Sequence, residues 1–89
     1  GNDKLVLADA TNSVAINGVE TVIGGTGNDT VTFAAAAVGT NIDLGDGNDR
    51  VTLFNGVNTV TITNAETIVG GTGNDTVTLT TTVSSINLS

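Results

Sequence analysis

Gly24-Gly25-Thr26-Gly27-Asn28-Asp29-Thr30-Val31-Thr32 recurs without a change as Gly70-Gly71-Thr72-Gly73-Asn74-Asp75-Thr76-Val77-Thr78. A variant, Leu44-Gly45-Asp46-Gly47-Asn48-Asp49-Arg50-Val51-Thr52, lies between them, and a truncated copy, Gly1-Asn2-Asp3-Lys4-Leu5-Val6, opens the chain. Each copy is a glycine-rich bend that ends in aspartate and runs straight into alternating apolar and polar residues. Glycine permits the left-handed backbone of a tight bend, and Asn-Asp tolerates that geometry while bonding its own backbone. The rest of the sequence connects these turns.

The closing aspartates Asp3, Asp29, Asp49 and Asp75 are spaced long, short, long, and the step from Asp3 to Asp49 equals the step from Asp29 to Asp75. That common step defines a super-repeat, 1–46. Under the same shift Asn12, Val14, Ile16, Glu20 and Thr21 fall on Asn58, Val60, Ile62, Glu66 and Thr67. Near the end Ile86-Asn87-Leu88 matches Ile42-Asp43-Leu44 at a slightly smaller offset. Repetition on this scale marks a solenoid. Side chains alternate across a strand, so Leu5, Val31, Val51 and Val77 read as one inward column. Leu7, Phe33, Leu53 and Leu79 follow two residues on, and Val6, Thr32, Thr52 and Thr78 form an outward column. Further strands are expected at Val14–Ile16 and Val60–Ile62, and on the approach to each turn, Glu20–Ile23, Asn41–Leu44 and Glu66–Val69. Ala34–Ala37 is too short for a stable helix and reads as a bland connection. The expected fold is an all-β, right-handed parallel β-solenoid of about four coils of 20–26 residues, with three short strands in the long coils. Residues 1–89 form a single repeat array of two super-repeats, 1–46 and 47–89. Joining Ser89 to Gly1-Asn2-Asp3 restores an approximate motif, so the chain reads as a slice of a longer array or a unit stacking end to end on copies of itself.

Composition narrows the function. The 89 residues carry nine acids against two bases, a net charge of −7, and contain no His, Cys, Trp, Tyr, Met or Pro. Nucleic acid needs a basic partner surface, so it is not an expected ligand. No apolar stretch is long enough for a membrane span. The usual bases and nucleophiles are absent, and every acid pair belongs to a repeat, so no enzyme is expected. With a thin core and no disulfides, another staple is required. Aspartates stacked at the strand spacing of about 4.8 Å repel by roughly 0.9 kcal/mol in water and ~3.5 kcal/mol at an effective dielectric of 20. Protons or cations relieve that repulsion. With no softer ligand available, the oxygen-rich turns point to calcium, which takes 6–8 oxygens, backbone carbonyls included. Glu20 and Glu66 read as corner residues facing solvent or, alternatively, as buried and paired with Asn or Thr; Lys4 and Arg50 read as solvated, and Asp9 and Asp43 have no evident partner.

The nonapeptide Gly-Gly-x-Gly-x-Asp resembles the RTX, or haemolysin-type, calcium-binding repeat. Two copies match at every defined position, one has Leu44 for the first glycine, and one lacks its first half. The resemblance implies calcium held between turns of successive coils by the motif aspartate and by carbonyls of the glycine-rich loop. Carried over, the ligands are Asp29, Asp49 and Asp75, with carbonyls at Gly25, Gly27, Gly45, Gly47, Gly71 and Gly73. Asp3 joins them if its missing half-turn is supplied from elsewhere. Typical members run nonapeptides back to back, with about eighteen residues per coil and calcium on both edges. Here the motifs stand farther apart than that, which predicts one metallated edge. The expected role is a secreted or surface structural rod that folds on calcium. The alternatives are an adhesin segment with a flat threonine face, or a calcium-responsive export domain of a larger secreted protein.

Overall fold

Short runs of Val, Ile, Leu and Thr in strict alternation, punctuated by Gly, Asn and Asp, yield strands and tight turns throughout. The computed structural model describes residues 2–81 and 83–87, and these contain ten strands and no helix. They are β1 (Lys4–Val6), β2 (Asn12–Ile16), β3 (Thr21–Ile23), β4 (Asp29–Phe33), β5 (Val38–Asp43), β6 (Arg50–Thr52), β7 (Asn58–Thr63), β8 (Thr67–Val69), β9 (Asp75–Leu79) and β10 (Ser85–Asn87). Odd-numbered strands form one five-stranded sheet and even-numbered strands a second, each in sequence order. All pairing is parallel. Each coil therefore contributes one strand to either sheet, and the described residues make five coils.

The expected β-solenoid is present, with shorter coils than the motif spacing implied. Lys4 lies beside Thr21, Thr21 beside Asn41, and Asn58 beside Asp75. Each of those pairs spans one full coil, and none reaches the long interval between motif aspartates. Among the described residues no coil has a third strand: Glu20–Ile23, Asn41–Leu44 and Glu66–Val69 correspond to β3, β5 and β8. The super-repeat carries β1–β5 onto β6–β10, five strands each. Because a coil uses two strands, the repeat spans two and a half coils, and its second copy begins on the opposite sheet. The long motif interval is thus one and a half coils.

The core follows from this registry. Leu5, Val22, Ile42, Ile62 and Leu79 stack in the first sheet. Val14, Val31, Val51, Ile68 and Ile86 stack in the second. The inward column expected from Leu5, Val31, Val51 and Val77 is therefore divided between sheets. Val22, Val31, Val51 and Ile68 are wholly buried, whereas Leu79 and Ile86 of the fifth coil are 39% and 44% exposed. The outward column divides as well: Thr32 and Thr52 are neighbours on the second sheet, while Val6 and Thr78 lie on the first. The single flat threonine column is thus not formed. Ala34–Ala37 makes a loop, with Ala37 buried. The proposed tail-to-head junction involves Gly1, Leu88 and Ser89, outside the described residues.

Candidate metal centre

Turns from the first sheet to the second form edge I, and turns from the second back to the first form edge II. At both edges most bends lead into their strand through an Asp, Glu or Asn; β5 and β10 are entered through Ala37 and Ser84 instead. On edge I strand pairing stacks Asn12, Asp29, Asp49 and Glu66 in consecutive coils. On edge II Asp3 and Glu20 are neighbours in the first two coils, and Asn58 and Asp75 in the last two. The four motif aspartates thus lie on both edges, not one. Asp29 and Asp49 are adjacent, while Asp3 and Asp75 occupy opposite ends of the other edge.

A directional ladder links these side chains. The Asn12 N–H donates to Asp29 Oδ1 (3.2 Å), the Asp29 N–H to Asp49 Oδ1 (2.7 Å), and the Asp49 N–H to Glu66 Oε1 (2.7 Å). On edge II the Asp3 N–H donates to Glu20 Oε1 (2.7 Å) and the Ala37 N–H to Asn58 Oδ1 (2.9 Å). Glu20 and Glu66 are therefore half-buried acceptors in the aspartate column, not solvent-facing corners. Their sequence signal was present: each stands nine residues before a motif aspartate, Asp29 or Asp75. Asp9 and Asp43 also have partners. Asp9 Oδ1 accepts from the Thr26 N–H (3.1 Å), and Asp43 Oδ1 accepts from the Gly45 N–H (3.1 Å) and Asn64 Nδ2 (3.0 Å). Lys4 and Arg50 are exposed and lie on different sheets.

One oxygen of each complete motif aspartate is used by the ladder or by an Asn amide; the other is not. Asp29 Oδ2, Asp49 Oδ2 and Asp75 Oδ2 are buried without a hydrogen-bond partner. A buried, unpartnered carboxylate oxygen is costly, and three at the same motif position indicate a shared requirement. Around Asp29 the requirement has a shape. A side-chain carbon built on Gly24 would lie 2.7 Å from both Asp29 Oδ2 and the Leu44 carbonyl oxygen of the next coil. Gly24 thus leaves a small gap between coils two and three, lined by these two oxygens and by the Leu44 Cα at 2.8 Å. Gly25 sends its carbonyl to the Asp46 N–H (3.1 Å), and the Gly27 carbonyl lies against Gly47. Among the described residues no three acidic or imidazole/thiol side chains converge, so an ion here takes backbone carbonyls along with carboxylates. All-oxygen donors, carbonyl-rich and of mixed origin, suit calcium, and the orphaned oxygens and the Gly24 gap fit it.

Electrostatics agree. Burial raises the Asp49 carboxyl from 3.8 to about 6; the Asp29 N–H opposes this, and negative charge on Asp29, Glu66 and Asp46 adds to it. Between these values the folded chain holds a proton that the unfolded chain has lost. Raising pH through that window therefore destabilises the metal-free fold. In calcium-depleted buffer the melting temperature should fall from pH 4.5 to pH 7, by an equivalent of roughly 2 kcal/mol, and saturating calcium should remove the trend. A metal-free melting temperature that rises over this range would count against a strained Asp49.

The fold and these edges define a parallel β-solenoid with cation-seeking turns between coils. Comparison with protein families gives the same result: the RTX calcium-binding nonapeptide repeat matches in four copies, over residues 15–32 and 63–79. The two matched segments are thus repeats of this calcium-binding type. Each matched segment runs through Glu20 or Glu66 and on through the glycine-rich motif that follows it. The Leu44–Asp49 turn lies outside both segments. Comparison with curated proteins and with solved structures gives no match.

Proposed function

We propose that the chain is a calcium-stapled structural segment of a secreted or cell-surface protein, a rigid non-catalytic rod whose coils lock together when calcium binds. The observation that carries this reading is the buried, unpartnered Asp29 Oδ2 facing the Leu44 carbonyl across the gap left by Gly24. In this reading Asp29, Asp49 and the carbonyls of Gly25, Gly27 and Leu44 hold one ion between coils two and three. Asp49, Glu66 and the carbonyls of Gly45 and Gly47 hold a second between coils three and four. Asp75 with Gly71 and Gly73 offers half of a further site, and Asp3 half of another, each completed by a neighbouring coil. The exposed inward residues Leu79 and Ile86 would be covered by that neighbour, whether more of the same chain or a second copy.

A chain with net charge −7 and few large side chains gains stability from each divalent ion bound to the folded state alone. Where calcium is scarce the fold is marginal and melts at low temperature; at extracellular calcium the bound ions lock it. Calcium titration followed by circular dichroism, with magnesium as control and small-angle scattering alongside, tests this. A calcium-specific rise in β signal with an elongating particle is the expected result. A β spectrum unaffected by chelator, or an equal response to magnesium, contradicts it.

A further inference from the structure

Two junctions are closed in a different way from those at Asp29 and Asp49. We propose that the side-chain amides of Asn12 and Asn58 stand in for calcium, making the edge I junction of coils one and two and the edge II junction of coils four and five metal-independent. The proposal rests on the calcium reading of the Asp29 and Asp49 junctions.

Asn58 is wholly buried. Its Nδ2 lies 2.7 Å from the Phe54 carbonyl, 3.3 Å from the Gly56 carbonyl and 2.7 Å from Asp75 Oδ1. Asn12 repeats the arrangement on the other edge, with Nδ2 at 2.8 Å from the Ala8 carbonyl, 3.0 Å from the Ala10 carbonyl and 2.9 Å from Asp29 Oδ1. All three neighbours in each case can only accept, so the nitrogen must face them. The oxygens come from residues four and two before the asparagine and from the acid of the next coil. Counted the same way from Asp29, those residues are Gly25, Gly27 and Asp49; from Asp49 they are Gly45, Gly47 and Glu66. The amide nitrogen thus occupies the position that an ion would take at the aspartate junctions, and supplies N–H donors where the carboxylates leave an orphaned oxygen.

The loops agree. Where asparagine closes the turn, the residue four before it is Ala8 or Phe54 in place of a positive-φ glycine such as Gly25 or Gly45. A side-chain oxygen also takes over a backbone role. Asp9 Oδ1 accepts from the Thr26 N–H (3.1 Å) and Asn55 Oδ1 from the Thr72 N–H (3.0 Å), where Gly25 uses its carbonyl to accept from Asp46. Calcium demand is thereby concentrated on the central edge I junctions, with an amide-closed junction toward each end.

The test is Asn58→Asp in the full chain, read by calcium count in native mass spectrometry and by melting in metal-free buffer. The carboxylate completes an oxygen cage, so the variant should bind one calcium ion more than the parent. It should also melt at least ~10 °C lower without metal, recovering when calcium is added. An unchanged count overturns the proposal. Asn12→Asp, at a less buried position, is the parallel variant and should also gain one ion; failure of both variants to fold in calcium overturns the proposal as well. If the parent binds no calcium and Asn58→Asp binds one, the Asp29 reading fails and the amide substitution stands.

Discussion

Replacing Gly45 with alanine should remove roughly 3 kcal/mol or more of stability, while the same change at Gly18 should remove only about 1. Both glycines have positive φ, +70° and +73°, so alanine suffers the same left-handed backbone penalty at each. They differ in what surrounds them. A side-chain carbon on Gly18 meets open space, whereas on Gly45 it would collide with the Gly25 carbonyl of the coil beneath. That carbonyl accepts the Asp46 N–H and is a ligand in the proposed calcium site, so displacing it separates the coils where the ion should bind. In a chain of this size the contrast corresponds to melting shifts of about 10–20 °C against ~5 °C, measured in saturating calcium. Gly45→Ala should also weaken calcium binding, which Gly18→Ala should leave alone. Equal losses at the two positions would mean that backbone conformation, not coil contact, explains the glycine.

Asp29 separates the two tasks of a motif aspartate. Its Oδ1 accepts from both the N–H and Nδ2 of Asn12, and its buried Oδ2 has no partner. Asp29→Ala removes both functions: it leaves the Asn12 donors without their acceptor, costing on the order of 2–4 kcal/mol, and abolishes one calcium site. Asp29→Asn should retain the acceptor and place an amide nitrogen where Oδ2 stood, facing the Leu44 carbonyl. That variant should lose one calcium ion yet melt higher than the parent in chelator, because an orphaned acceptor has become a satisfied donor. Titration calorimetry and paired melts with and without calcium distinguish the outcomes. An asparagine variant that loses stability without metal as severely as the alanine variant would show that Oδ2 is not strained in the parent.

Much of this was legible in the sequence, and the rest failed for identifiable reasons. Repeated Gly-Gly-x-Gly-x-Asp with period-two alternation specified parallel coils, oxygen-rich turns and the aspartates as the special residues. The assignment of turns to edges did not follow, since both sheets use the same alternation and both edges can use the same bend. Nothing local to Asp29 or Asp75 states which edge it lies on, and equating the long motif interval with a whole coil places them together. The clue that separates them is Glu20 and Glu66, each nine residues ahead of a motif aspartate, half a coil earlier on the opposite edge. The Leu44 carbonyl was invisible for a different reason: a backbone oxygen serves whatever side chain its residue carries, so the loss of the first glycine does not remove the proposed ligand. Asn12 and Asn58 were visible only as equivalent positions, because their bonds to the next coil depend on registry.

Diffraction from crystals grown in calcium, recorded at a wavelength where calcium scatters anomalously, tests the central claim most directly. The expected map has a peak between coils two and three, bounded by Asp29 Oδ2 and the Leu44 carbonyl, and none beside the amide nitrogens of Asn12 or Asn58. A map with no peak at the Asp29–Leu44 gap, under conditions where the chain is saturated with calcium, would contradict it.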